Sequence, residues 1–281
     1  MHWWNMLTPE MKDKIARNQL KIIEKRGDAS YLRGQHPYGH ALIKGITREH
    51  KSLPAELAKG IFDKVNPINV EMRLSNGRVK KDYIPDIHGV GIKFHFEDKP
   101  VDILLSDSES FFTDNVEDID ALLNAQANGG AWKLFFTHPK LMWNIITSFK
   151  IRRNLLLTTY WSQLEWQLGD QKVKFKLVPK SKDVVNVDWM WWSNYLRRRI
   201  SDHVWTKDTY FQLVILWNNC EWPAFVLHFP PQDIDLLISE EENIAFNVNN
   251  CLPDLFPIGD LQELRKHVYK LSADLRTHGW N

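Results

Sequence analysis

Short runs that alternate apolar and polar residues dominate the first half of the chain after residue 38. "HALIKGITR" (40–48), "INVEMRLS" (68–75), "HGVGIKFHF" (88–96) and "VDILLS" (101–106) read as strands. Of these, "VEMRLS" and "GIKFHF" alternate as half-buried strands do. Pro, Gly, Asn and Asp punctuate them at hairpin-like spacing. Ahead of them, residues 9–26 form a polar helix with sparse apolar positions at Met11, Ile15, Leu20, Ile22 and Ile23. Helical patterns recur over 117–127 and 131–150, the second interrupted at Pro139. Two more strands, "TTYWSQLEWQL" (158–168) and "KVKFKLVP" (172–179), are joined by Gly169-Asp170, a good hairpin turn. Residues 188–204 read as helix, and "TYFQLVILW" and "PAFVLHF" return to strand. A loop with Pro253, Pro257 and Gly259 leads into a final helix. Many antiparallel strands with a few helices predict an α+β fold built on a large antiparallel β-barrel. No repeat or linker divides it, so residues 1–281 read as one domain.

Charge changes this picture little. The 36 Lys+Arg nearly match the 35 Asp+Glu, which argues against nucleic acid and against a polybasic membrane partner. The run "YLRRRI" (195–200) reads as a solvated helix face. Two lone cysteines, Cys220 and Cys251, make neither a zinc site nor a disulfide framework. No signal pattern and no transmembrane-length apolar run occurs, and a reduced, cytoplasmic setting is expected. Thirteen tryptophans are unusual. Clusters such as "WMWW" (189–192) and "HWWNM" (2–6) are either core or a lipid- or partner-facing patch.

The final helix carries the first chemical clue. Arg265, Tyr269 and Arg276 fall near one face of a helix. A phenol is a weak anion at neutral pH, but ferric iron and a guanidinium one turn away both favour its ionised form. Tyrosinate is one of the few axial ligands that proteins offer to haem iron. A solvated helix whose Arg and Tyr simply reach for water would show the same spacing.

Further motifs bear on the choice. "RGQHPYGH" sets Arg33 three residues before His36, and "EMRLSNG" sets Arg73 and Ser75 on one strand. "HGVGIKFHF" and "LSDSESFF" follow, and "AFNVNNCLPDLFPIGDLQELRKHVY" runs to Tyr269. In number and order these resemble the catalase superfamily, in particular its small, single-domain haem members. The resemblance is good over 33–112, the distal-side half of the barrel, and over 243–276, the proximal segment; it is loose between. Residues 1–30 would be an N-terminal helical part.

The resemblance implies haem b as cofactor, with Tyr269 as iron ligand and Arg265 as its charge partner. Arg33, Arg73 and Arg276 would hold propionates. His36 would be the distal acid–base residue, with Ser75 hydrogen-bonded to its other nitrogen. Phe111 and Phe112 would line the distal side. His40 is either a second distal histidine or faces out of the barrel. The departures matter too. Ser106 or Asp107 stands where full catalases carry an asparagine that donates to peroxide. Gln35 precedes the histidine, His88 replaces an arginine and Glu109 a proline.

Three functions remain: a weak catalase or peroxidase using hydrogen peroxide, an enzyme isomerising or cleaving fatty-acid hydroperoxides, and a haem-binding protein without turnover. Expected partners are a small peroxide or a lipid hydroperoxide, without nucleic acid. The oligomeric state is open, a homo-oligomer included.

Overall fold

The structure is a computed structural model. It describes residues 7–25, 36–49, 51–63, 67–181, 184 and 193–278, with side chains to residue 270. The Trp clusters at 2–6 and 189–192, Arg33 and Gln35 lie outside these residues.

Eight strands close the barrel: β1 (Tyr38–Arg48), β2 (Asn69–Asn76), β3 (His88–Phe96), β4 (Lys99–Ser106), β5 (Tyr160–Trp161), β7 (Gln171–Pro179), β8 (Thr209–Trp217) and β9 (Cys220–Phe229). The ring order is β1-β2-β3-β4-β5-β7-β8-β9, returning to β1, and every pairing is antiparallel. Closure leaves no free edge in the ring. Two short strands, β6 (Trp166–Leu168) and β10 (Leu255–Pro257), extend from β7 outside the ring.

The predicted strand 158–168 is therefore two strands. Gln163, with φ of 61°, breaks the run between β5 and β6. The hairpin at Gly169-Asp170 joins β6 to β7 as expected. The helical run is broken at Pro139 as expected: the single turn of α3 (Leu134–Thr137) ends before it, and Pro139 begins α4 (Pro139–Ser148). That placement suits a residue without an N–H, since first-turn donors have no intrahelical partner anyway. α1 spans Pro9–Lys25, α2 Val116–Asn128, α5 Tyr195–Val204 and α7 Asp260–His278. α6 (Ile238–Asn243) and β10 were not foreseen.

Inside the barrel, alternate residues form the core. Phe94, Phe175, Phe211, Phe225 and Phe229 are fully buried, and a 3₁₀ turn at Gly60–Phe62 pushes Phe62 against Phe225 with ring centroids 5.4 Å apart. A smaller apolar layer joins α1, α2 and α7 through Ile15, Ala16, Ile119, Leu261, Leu264 and Val268. A cavity lies between this helical layer and the outer face of β2–β4.

The basic run of α5 is not a solvated face. Arg199 is buried, and Arg197 donates to the His40 carbonyl at 2.9 Å and to Asp235 at 2.7 Å.

Candidate functional site

Strand register builds the cavity floor. Gly39, Ser75, Gly89 and Ser106 form one rung across β1–β4, and Arg73, Gly91 and Leu104 form the next on the same face. The two glycines leave bare backbone. A Cβ at Gly89 would lie 2.5 Å from His36 Nδ1, and one at Gly91 would lie 2.9 Å from the Phe246 ring. The His36 imidazole therefore rests directly on Gly89, and the Phe246 ring on Gly91.

His36 enters this position with a left-handed backbone, φ 49°, a conformation that non-glycine residues adopt at a cost. Arg73 holds it there. Its Nη1 donates to the His36 carbonyl at 3.0 Å, its Nη2 to that of Pro37 at 3.3 Å, and its Nε to buried Glu241 at 2.6 Å. The His36 Nδ1 is buried and has no hydrogen-bond partner among the described residues. Burial lowers the His36 pKa to about 4, with Arg73 acting in the same direction and Asp86 and Asp107 against it. The imidazole is thus neutral at pH 7 and able to accept a proton.

The cavity has a volume of about 760 Å³, within the range of cofactor and ligand sites. His36, Arg73, Ser75 and Ser106 line the barrel side. The Phe111 and Phe112 rings stack at 4.2 Å on another wall. Arg265 and Tyr269 line it from α7. Gly259, with φ 94°, and Asp260 in the first turn set the start of that helix. Apolar side chains of α1, α2 and α4 complete the wall.

Several expectations require correction. Ser75 does not bond to His36; its Oγ donates to the carbonyl of its cross-strand neighbour Gly89 at 3.3 Å. Asp107 does not line the cavity. Alternation along β4 turns Ser106 toward the cavity and Asp107 away from it, into a buried group with His88 and Arg152. Burial raises the Asp107 pKa, but hydrogen bonds and charge from His88 (Nδ1, 3.1 Å) and Arg152 (Nε, 2.7 Å) outweigh it and leave the carboxyl below its usual range. Arg265 does not bond to the phenol oxygen. Its guanidinium carbon sits 5.9 Å from the Tyr269 ring centroid, and Nη1 donates to Gln262 at 3.2 Å. Arg73 is committed to Glu241 and two carbonyls, which compete with any carboxylate ligand. His40 does not line the cavity as a second distal histidine would; it is buried beside Asp82, 3.8 Å away. Arg276 is carried on α7, but its side chain lies outside the described residues.

The sequence reading missed Arg78, which lines the cavity and lies over Phe149 at 5.2 Å, and missed Glu241. "NGRVKK" offered only a turn arginine, and "SEEEN" only a surface acid. A buried acid that outcompetes solvent for Arg73 leaves no mark in sequence spacing.

The donor set fits the haem that the resemblance implies. A broad apolar slot floored by bare glycine backbone has an imidazole nitrogen and Ser106 Oγ on the barrel side, both without a hydrogen-bond partner among the described residues, and a phenol beside a guanidinium on α7.

No family model matches this sequence, and no curated protein matches it. Among solved structures, the fold is similar to that of a fungal catalase at a TM-score of 0.69 and 14% identity. The similarity covers 88% of this chain but only 59% of that one. At such an identity the likeness establishes architecture: the chain has a catalase-like α+β fold, an antiparallel β-barrel with flanking helices.

Proposed function

We propose that the chain is a haem enzyme that breaks the O–O bond of hydrogen peroxide or an organic peroxide. One observation carries this reading: His36, with its buried, unpartnered Nδ1, lines the same cavity as the Tyr269–Arg265 pair. Tyr269 would ligate the iron of haem b, and the Arg265 guanidinium over its ring would favour the ionised phenol. Arg78 joins Arg33 and Arg276 as a candidate for the propionates, and Arg73 serves first to fix the His36 main chain. When bound, the ferric centre would supply the electron pair chemistry that O–O cleavage needs.

The chain's own residues handle binding and the proton. Neutral His36 accepts a proton from one peroxide oxygen and returns it to the other, which departs as water or an alcohol. Phe111 and Phe112 line the same cavity and make that wall apolar. Ser106 offers one hydroxyl where an asparagine would offer an amide.

The lining favours an organic hydroperoxide over hydrogen peroxide. Apolar side chains from five helices face the cavity, and each buried methylene of a tail is worth about 0.8 kcal/mol. The test compares haem-reconstituted wild type with His36→Ala. The variant should keep its haem yet lose about two to four decades of peroxide reactivity. Equal rates would remove His36 from the chemistry.

A further inference from the structure

The helices that wall the cavity also carry an exposed apolar patch. Trp132, Phe135, Phe136, Trp143, Ile146 and Ile151 all stand in solvent, with Phe136 79% and Trp143 68% exposed. Trp132 and Phe136 meet edge to face at 6.3 Å. Phe135 and Ile146 belong to both patch and cavity lining, so the patch runs into the cavity's rim.

The chain segment that carries the patch is basic. Between Asp120 and Glu165 the chain has Lys133, Lys140, Lys150, Arg152 and Arg153 and no carboxylate. Lys133 and Lys140 are exposed, Lys133 with its ammonium 5.9 Å from the Trp132 ring. On the facing turn, exposed Arg78 and Lys81 flank Tyr83 and Ile84, both part-exposed, whereas Asp82 and Asp86 are buried. No described helix is long and apolar enough to cross a membrane. Indole and phenyl rings beside lysines match the belt where a protein meets the headgroup layer without spanning it.

We infer that α3, α4 and the 78–84 turn form a surface that docks on an anionic lipid bilayer, with the cavity's apolar rim facing the membrane. Docking would admit a bilayer-resident apolar substrate at the rim without crossing water; this consequence alone rests on the haem reading. The net charge of the whole chain, +1, gives no hint of it, because the positive side is offset by acids elsewhere.

The test uses the full chain without added haem, so its failure and a failure of haem binding are separate results. Sedimentation is measured with vesicles of phosphatidylcholine alone and of phosphatidylcholine with phosphatidylserine. Wild type should bind the mixed vesicles and release as salt rises. The triple variant Trp132→Ser, Phe136→Ser, Trp143→Ser, which removes side chains outside the cavity lining, should bind at least about tenfold more weakly. Lys133→Glu with Lys140→Glu should cost at least about twentyfold, since each cation near an anionic surface is worth roughly a fivefold factor. Brominated lipids should quench part of the wild-type fluorescence and less of the triple variant's. The inference fails if wild type ignores both vesicle types, or if the triple variant binds as wild type does. It also fails if wild type is a dimer that the triple variant dissolves, which would mark the patch as a contact between copies.

Discussion

Gly89→Ala isolates the contact on which the site depends. The substitution leaves the strand conformation allowed and adds one methyl. That methyl would stand 2.5 Å from Nδ1, 2.6 Å from Cε1 and 2.8 Å from Cγ of His36. Ordinary contact between such atoms is about 3.5 Å or more, so the ring must retreat by roughly 1 Å. It cannot retreat with its backbone, because Arg73 holds the His36 and Pro37 carbonyls. Overpacking of this kind costs about 1–3 kcal/mol, and a 1 Å misplacement of a reacting group costs about a hundredfold in rate. Gly89→Ala should therefore lower stability by that amount in urea unfolding and slow peroxide reactivity by about two decades in stopped flow. In a His36→Ala background the same methyl meets no ring, and its stability cost should largely vanish. An equal cost in both backgrounds would show that His36 does not rest on Gly89.

Other outcomes follow from the same geometry. Asp102 accepts from Lys93 Nζ at 2.7 Å, from the Asn247 backbone at 2.8 Å and from Asn250 Nδ2 at 2.8 Å, tying the Phe246 loop to β4; Lys93→Met, which strands that buried carboxylate, should cost about 3–5 kcal/mol in urea unfolding. Burial holds His36 and His40 at a pKa of about 4, below the 6.5 of a free imidazole. Between these values the unfolded chain binds more protons, so stability should fall as pH drops from about 6.5 toward 4. Asp82, which burial raises to about 6, binds its proton earlier in the fold and opposes that fall; the thermal midpoint of Asp82→Asn should therefore drop more steeply between pH 7 and 5 than that of wild type. Ser106→Asn should raise oxygen evolution from hydrogen peroxide, measured at an oxygen electrode. Asp107→Asn should leave that rate alone and lower stability, because Asp107 holds His88 and Arg152.

The barrel was legible because its strands carry their period in the sequence. "VEMRLS" places Met72 and Leu74 inside and Arg73 and Ser75 outside, and the structure keeps that division. Closure by β1–β9 pairing joins strands at opposite ends of the barrel's sequence and has no local signature. Within the site, the family resemblance singled out His36, Arg73, Ser75 and Tyr269, and all four line one cavity. It did not give their partners. Asp107 and Ser106 are neighbours in the chain, yet strand alternation sends them to opposite faces, and the sequence left both open. The Arg73–Glu241 pair joins residues on two distant elements, where burial rather than spacing selects the partner. The exposed aromatics of α3 and α4 read as ordinary helix residues until packing showed which side was left uncovered.

If the proposed function holds, Tyr269 and His36 flank one haem. The direct test is an optical titration of the purified protein with ferric haem, repeated on Tyr269→Phe. Wild type should take up one haem per chain with a high-spin ferric tyrosinate spectrum, and binding should weaken or disappear in Tyr269→Phe while His36→Ala binds as wild type. Saturation of Tyr269→Phe at the same ratio with an unchanged spectrum, or no specific binding by wild type, would contradict it.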